Sequence, residues 1–271
     1  MPQIINTNIP SLNAQRNLNT SQGSLNQALQ RLSSGLRVNS SKDDAAGLAI
    51  ASNMDAQSRG MVVAMRNAND GISAAQTAEA GFDAISGHLQ RMRELAVQSA
   101  SGQYDEANRA ALDAEYQQLR SEVERVTTAT NFNGRALLNG TFSNIGFQIG
   151  ATTVDTDSRI SVTIQSLDVS SLGNLCADTA ALDAMSALDT AINSINSYRA
   201  DLGAIQNRFE GVLVQLSAAQ ENTEAAKSRI MDADYAAETA KLSRAQILQQ
   251  AGTAMLAQAN ALPQNVLSLL R

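Results

Sequence analysis

Residues with reactive side chains are scarce in this sequence of 271 residues. It contains one histidine, His88, and one cysteine, Cys176. A Ser-His-Asp hydrolase would have to use His88, yet the surrounding FDAISGHLQRM is typical of continuous helix and has no sharp nucleophile turn. One cysteine cannot form an intrachain disulfide, and one histidine cannot form a histidine-based metal cluster. We interpret His88 as a residue of a helix surface and Cys176 as a small, half-buried side chain.

The strongest candidate for metal binding is DTDS at 155–158. These residue types open a calcium loop, but such a loop also needs glycine at its sixth position and glutamate at its twelfth. Both are missing here, and the sequence offers no other metal motif. We therefore predict no metal, no cofactor and no catalytic residues, and we expect the protein not to be an enzyme.

The composition excludes two classes of partner. The formal net charge is −6, whereas nucleic-acid binding requires a basic surface. The longest apolar runs resemble MVVAM at 61–65, which is far short of the ~20 residues that span a membrane. The start of the chain also lacks the basic and apolar segments of a secretory signal, so any export is expected to use another route.

Long helices are the elements that the sequence predicts. Prolines are absent from 11–262, and nothing there interrupts a helix. A helix is expected over about 45–99, with Ser41 as its capping residue and Asp44 in its first turn. Apolar residues follow one another along it at a mean step of 3.5, the period of a coiled coil. They are Met61, Met65, Ala68, Ile72, Ala75, Ala78, Phe82, Ile85, Leu89, Met92 and Ala96.

The same period continues on both sides of a short region with a different pattern. It runs through Leu112, Tyr116, Leu119, Val123 and Val126, and returns from Leu188 to Leu216. Between these helices, Asn133-Gly134 and Asn139-Gly140 predict turns with positive φ. Apolar and polar residues then alternate over 141–166, which predicts one β-hairpin. The fold class is therefore mainly α: a long antiparallel coiled coil, or helical rod, with a small hairpin.

Both ends of the chain carry heptad stripes. On the N-terminal side the stripe contains Leu18, Leu25, Leu29, Leu32 and Leu36, and on the C-terminal side it contains Ala245, Leu248, Gly252, Met255, Ala259, Leu262, Val266 and Leu269. The obvious pairing is one arm with the other. The C-terminal stripe is wider than a two-helix seam, because Ile247, Leu256, Leu267 and Leu270 lie beside it. A helix that is apolar on more than one face needs more than one partner, and copies of the same chain would make a helical polymer. The alternative from periodicity alone is a bundle within one monomer.

Blocks distributed over nearly the whole chain resemble bacterial flagellin. They are INTNIPSLNAQRNL (5–18), QRLSSGLRVNSSKDDAAGLAIA (30–51), LQRMRELAVQSA (89–100), FNGRALLNG (132–140), YRADLGAIQNRFE (198–210) and the final block from 228 to 271. Only about 141–180 lies outside this likeness. A single heptad would be weak support, but these blocks in this order are specific.

The resemblance implies a structural subunit that polymerises into the flagellar filament for swimming motility. Residues 1–44 and 228–271 would be the terminal arms of the inner tube, and 45–227 the rod domain with its hairpin. The chain would be exported without a cleaved signal peptide to an extracellular filament, and large outer variable domains would be absent. Implied partners are other copies of the chain, an export chaperone, the filament cap protein, junction proteins and host innate immune receptors.

The resemblance also assigns contact residues. Inner-tube assembly would use the arm residues Leu18, Leu25, Leu29, Leu32, Leu36, Leu248, Met255, Leu262, Val266 and Leu269. A Toll-like receptor would contact Gln90, Arg91, Leu95 and Glu115, and a cytosolic receptor would read Leu267, Leu269 and Leu270. Two readings stay open: Leu95 could instead pack inside the rod, and Arg91 with Glu115 could be an exposed ion pair.

The main alternative function is a hook-filament junction protein, a hook-associated relative that shares the terminal arms. Such a relative would be expected to lose much of FNGRALLNG and YRADLGAIQNRFE, which this chain keeps. A secreted enzyme is the third class, and it would need a cluster of catalytic groups that the sequence does not supply.

Overall fold

The computed structural model describes residues 7–151 and 158–268. The chain divides into two compact units, one from Met1–Ala56 with Asn222–Arg271 and the other from Gln57–Glu221. The helices are α1 (Ile9–Ser34), α2 (Ala45–Ser99), α3 (Glu106–Ala129), α4 (Asp178–Met231) and α5 (Tyr235–Ser268), and the strands are β1 (Asn131–Phe132), β2 (Arg135–Ala136), β3 (Ile145–Gln148) and β4 (Arg159–Val162). The predicted fold class is confirmed: the protein is mainly α with small antiparallel strand pairs.

Short polar residues and glycine set the helix ends. The Asn8 side chain accepts a hydrogen bond from the Ser11 amide at the start of α1, and Gly35 ends that helix with a φ of 72°. The predicted cap of α2 was wrong. Asp44, rather than Ser41, caps the helix, because its carboxylate accepts the Gly47 amide at 2.8 Å. Asp44 immediately precedes the first helical residue, whereas Ser41 lies too far upstream.

The core of the 57–221 unit contains the stripes that the sequence predicted. Of the eleven α2 stripe positions, these eight are buried: Ala68, Ala75, Ala78, Phe82, Ile85, Leu89, Met92 and Ala96. Tyr116 and Val123 of α3 join them, as do Leu188, Ile195, Leu202 and Phe209 of α4. Alanine and glycine bring the helices close, since a Cβ added to Gly71 would lie 2.7 Å from the Phe209 ring. The 3.5-residue period therefore marks a shared helical core.

Two antiparallel strand pairs, rather than one hairpin, are present in the described residues. β3 pairs with β4, with Ile145 opposite Val162, inside the predicted 141–166. The second pair joins β1 to β2 around Asn133-Gly134, where φ is 50° and 76°. It was not predicted because strands of two residues are too short for an alternating pattern.

An irregular strap over 166–177 closes this core. Leu172 and Leu175 within it are fully buried. The Tyr116 hydroxyl donates to the Leu172 carbonyl, and the Leu175 amide donates to the Asp113 carboxylate at 2.7 Å. Ser99 Oγ donates to the Leu175 carbonyl at 2.9 Å. The strap is thus anchored by hydrogen bonds as well as by leucine burial.

Candidate functional site: the paired terminal helices

The first and last helices of the chain lie antiparallel against each other within one unit. Side-chain hydrogen bonds run from Asn8 to the Ala259 carbonyl at 2.8 Å, from Ser11 to Asn260 at 2.8 Å, and from Gln249 to Gln22 at 2.7 Å. Position numbers rise along α1 as they fall along α5, which fixes the antiparallel sense. The pairing of the two arms, inferred from their heptads, is therefore the arrangement that the structure has.

The seam between α1 and α5 is built from small and medium side chains. Ser11, Ala28, Ala245 and Ala259 are buried in it, and Leu25 is 9% exposed. Gly252 is packed so closely that an added Cβ would lie 3.2 Å from Leu18 Cδ1. Small residues let two helix backbones approach, as in other close helix pairs.

Six positions of the predicted heptad stripes lie in or at the α1–α5 seam of this chain, and three described positions on these helices do not. Leu18, Leu25 and Leu32 lie at or partly in the seam, as do Ala245, Gly252 and Ala259 of α5. The positions predicted to alternate with them point elsewhere: Leu29 is 48% exposed, Leu248 51% and Met255 63%. Their places in the seam are taken by the buried or half-buried Ala14, Ser21, Ala28, Leu242, Gln249 and Leu256.

The register error has a physical cause. Both helices carry apolar residues on either side of the true seam. On each helix, two neighbouring sets of residues therefore follow the same three-four spacing, and either set could form the seam. Sequence hydrophobicity favours the stripe with larger side chains, whereas close packing favours the smaller ones. Leu29, Leu248 and Met255 therefore remain exposed to solvent in this single chain. Ile9 at 58% and Ile247 at 65% are exposed in the same way.

Of the four remaining predicted assembly residues, only Leu36 has a described side chain. Leu36 follows the end of α1 and forms a β-bridge with Asp232, where the two chain segments between helices meet. The side chains of Leu262 and Val266, and the whole of Leu269, lie outside the described residues. Their role in assembly stays a prediction.

A buried carboxylate holds charge at one end of the helix pair. The Glu238 side chain is 6% exposed and lies 3.6 Å from Arg31 Nη1 and 2.8 Å from Lys241 Nζ. Two cations compensate the desolvated carboxylate, so removal of either one would leave it poorly paired. A groove of about 410 Å³ beside it is lined by residues of both helices, including Ser24, Arg31, Arg244 and Leu248.

The candidate receptor residues are only partly accessible. Gln90, Arg91 and Glu115 are exposed, and Arg91 Nη2 lies 2.8 Å from Glu115 Oε1. Hydrogen bonds to Glu115 and Glu94 raise the pKa of Arg91. Leu95 is 1% exposed and belongs to the core, so it offers no contact surface in this conformation. Leu267, Leu269 and Leu270 lie outside the residues whose side chains are described.

The two reactive residues singled out in the sequence, His88 and Cys176, lie on different segments of the fold, α2 and the strap. His88 is half-buried on α2, and no group of three potential metal ligands occurs in the described chain. Residues 155–157 of the DTDS motif lie outside the described residues. Cys176 is exposed rather than half-buried, and partial desolvation together with the nearby Asp113 carboxylate raises the pKa of its thiol. In the described helices no segment has the length and apolar character of a membrane span.

Comparison with known proteins places the helices in a family. The model of the bacterial flagellin N-terminal helical region matches residues 5–143, and that of the bacterial flagellin C-terminal helical region matches 185–270. Together they cover most of the chain, including both helices of the pair. The chain belongs to the flagellin family. Flagellins are a family of structural proteins.

Individual flagellins match over their full length. The flagellin of Halalkalibacterium halodurans is 44% identical over 274 residues, covering 99% of this chain and 100% of the relative. The flagellar filament 33 kDa core protein of Treponema phagedenis is 41% identical over 288 residues, with 99% and 100% covered. Flagellin A of Vibrio anguillarum is 35% identical over 381 aligned positions, covering 98% of this chain and 99% of the relative. Since 381 exceeds the 271 residues here, that relative carries additional residues, whereas the first two resemble this short form.

Solved structures agree with the fold. The crystal structure of Bacillus cereus flagellin has a TM-score of 0.51 and 32% identity, over 56% of this chain and 88% of that one. A putative flagellar hook-associated protein from Vibrio parahaemolyticus has a TM-score of 0.58 over 70% of this chain and 100% of that one, at 16% identity. At that identity the second likeness concerns the fold alone.

Proposed function

We propose that this chain is a structural subunit that polymerises into the bacterial flagellar filament and thereby serves swimming motility. One observation carries the proposal: the paired terminal helices keep large apolar side chains in solvent. Leu29 on α1 is 48% exposed, and Leu248 and Met255, which lie seven residues apart on one stripe of α5, are 51% and 63% exposed. Burying such side chains is favourable, and copies of the same chain are the partners that a repeating polymer provides.

The composition of the seam supports the same proposal. Small residues such as Ala28, Ala245 and Gly252 occupy part of it, while the large side chains of Leu248 and Met255 stay exposed and available for other contacts. A self-sufficient pair would be expected to bury Leu29 and Leu248 as well as Leu25. The arms therefore suit a structure in which neighbouring subunits complete the packing.

The hook-associated alternative is less supported. Its structural likeness has 16% identity, and both flagellin regions are matched here with the blocks FNGRALLNG and YRADLGAIQNRFE in place. A hook-associated protein would end filament growth instead of propagating it. Chain elongation is therefore the property that distinguishes the two.

Location and further partners belong to the same proposal. We propose an extracellular filament as the location because the chain belongs to the flagellin family, and export without a cleaved signal peptide as the route. An export chaperone, a cap protein and junction proteins are the partners expected of a subunit of this kind. We further propose that the exposed Gln90, Arg91 and Glu115 are available to an innate receptor on a free subunit. Leu95 is buried, so it would support this surface by packing in the core rather than by contact with the receptor.

A truncation tests the proposal directly. The full chain and a chain lacking 262–271 are each mixed with short filament fragments, and the sedimented polymer is measured against total protein. The full chain should elongate the fragments, whereas the truncated chain should remain soluble while the 57–221 unit keeps its helices by circular dichroism. Polymers of normal length from the truncated chain would contradict the role assigned to the arms.

A further inference from the structure

One methionine differs from the others in its surroundings. Met255 is 63% exposed, and it is the only exposed methionine among those whose side chains the structure describes. Met92, by contrast, is fully buried, and Met54, Met61 and Met185 are half-buried. Thioether oxidation follows access of the oxidant to sulfur. Met255 should therefore be the fastest of the described methionines to react.

The position of Met255 connects its chemistry to assembly. Leu248 lies seven residues before it, on the same stripe of α5 and outside the seam with α1. If the proposed function is correct, on which this inference rests, the stripe is buried against a second copy of the chain. The sulfur is then exposed in the free subunit and covered in the polymer.

Oxidation would change the character of this stripe. When hydrogen peroxide reacts with the thioether, the O–O bond breaks, one oxygen bonds to Sδ, and the other leaves as water with both protons. Sulfur loses two electrons and peroxide is reduced. The product, a sulfoxide, is a strong hydrogen-bond acceptor in place of an apolar group, and its burial without a donor is unfavourable.

We propose that Met255 is a redox-sensitive modification site whose oxidation by a peroxide prevents the free subunit from joining a polymer. Because Met255 lies outside the α1–α5 seam, the oxidised subunit keeps its helix pair and loses only the intersubunit contact. Polymerisation, in turn, protects the sulfur from the oxidant. Sulfoxide reduction by a reductase would restore the subunit.

The test follows sulfoxide formation and assembly on the full chain. Soluble chain and assembled filament are treated with dilute hydrogen peroxide, and the oxidised fraction of each methionine is measured by peptide mass spectrometry. Met255 should be oxidised first in the soluble chain, and at least roughly tenfold more slowly in the filament, since burial limits access to sulfur. The critical concentration for seeded elongation of the oxidised chain should rise roughly tenfold or more, because a polar group replaces an apolar one.

Two variants provide the controls. Met255→Leu keeps an apolar side chain of similar size, so its elongation should survive peroxide treatment. Met255→Gln places a polar group at the same depth, so it should elongate poorly without peroxide, with unchanged helicity. Equal elongation of oxidised and untreated wild-type chain, or equal loss in peroxide-treated Met255→Leu, would overturn this inference alone. Failure of untreated wild-type chain to elongate would overturn the proposed function together with it.

Discussion

A matched pair of leucine substitutions separates contacts within the subunit from contacts between subunits. Leu25 is 9% exposed in the seam, whereas Leu248 is 51% exposed beside it. Both lie inside long helices, and replacement by alanine costs no helix propensity at either position. Leu25→Ala should lower the free energy of unfolding of the helix pair by about 2–5 kcal/mol, the usual range for a buried leucine. Leu248→Ala should leave that free energy nearly unchanged.

The two substitutions should also differ in assembly. About half of the Leu248 side chain is left for a neighbour to bury, and this burial is worth about 1 kcal/mol. Its loss in Leu248→Ala should raise the critical concentration for seeded elongation about fivefold. The assay combines denaturant unfolding of the soluble chain with sedimentation of seeded polymer over a range of concentrations. If the Leu248→Ala chain forms filaments at an unchanged critical concentration, the assignment of this stripe to subunit contacts is refuted.

Three further predictions concern the remaining structure. Phe209→Ala removes a fully buried ring that lies 5.6 Å from the Phe147 ring, and should lower the free energy of unfolding by about 3–5 kcal/mol in denaturant titrations. Burial raises the pKa of Tyr116 to about 12 from 10.0, so the folded state favours the protonated phenol. The free energy of unfolding should therefore fall as pH rises from 10 towards 12, and the fall should be smaller in Tyr116→Phe. Gly252→Leu places side-chain atoms against Leu18, where a Cβ already lies at 3.2 Å, and should lower the melting temperature of the arm pair; an unchanged melting curve would show that the seam can open without cost.

The long helices could be predicted because their pattern is dense and uninterrupted. Apolar residues from Met61 to Ala96 recur at helical spacing over 36 residues, and no proline breaks the run. The predicted limits of about 45–99 agree with α2 at Ala45–Ser99. The strap over 166–177 could not be predicted, because Leu172 and Leu175 have no periodic neighbours and are buried only through contacts with distant helices.

The candidate site was predicted in composition but not in register. Leu18 and Ala245 were assigned to a seam, and they lie in or at it. Leu248 and Met255 were assigned to the same seam, and they lie outside it because Gln249 and Leu256 occupy those positions. A polar glutamine gives no hydrophobic signal, yet its hydrogen bond to Gln22 satisfies it in place. Only the packing of two backbones decides between two stripes of similar spacing.

Electron microscopy of seeded chain tests the central claim most directly. Purified full-length chain, shown to be folded by circular dichroism, is added to short filament fragments, and polymer length is measured as a function of time. The account predicts long filaments that grow in proportion to added chain, because the exposed stripes of the terminal helices are surfaces for neighbouring copies. A folded chain that never lengthens the fragments would mean that the terminal helices pack only against each other within one chain, and this would contradict the account.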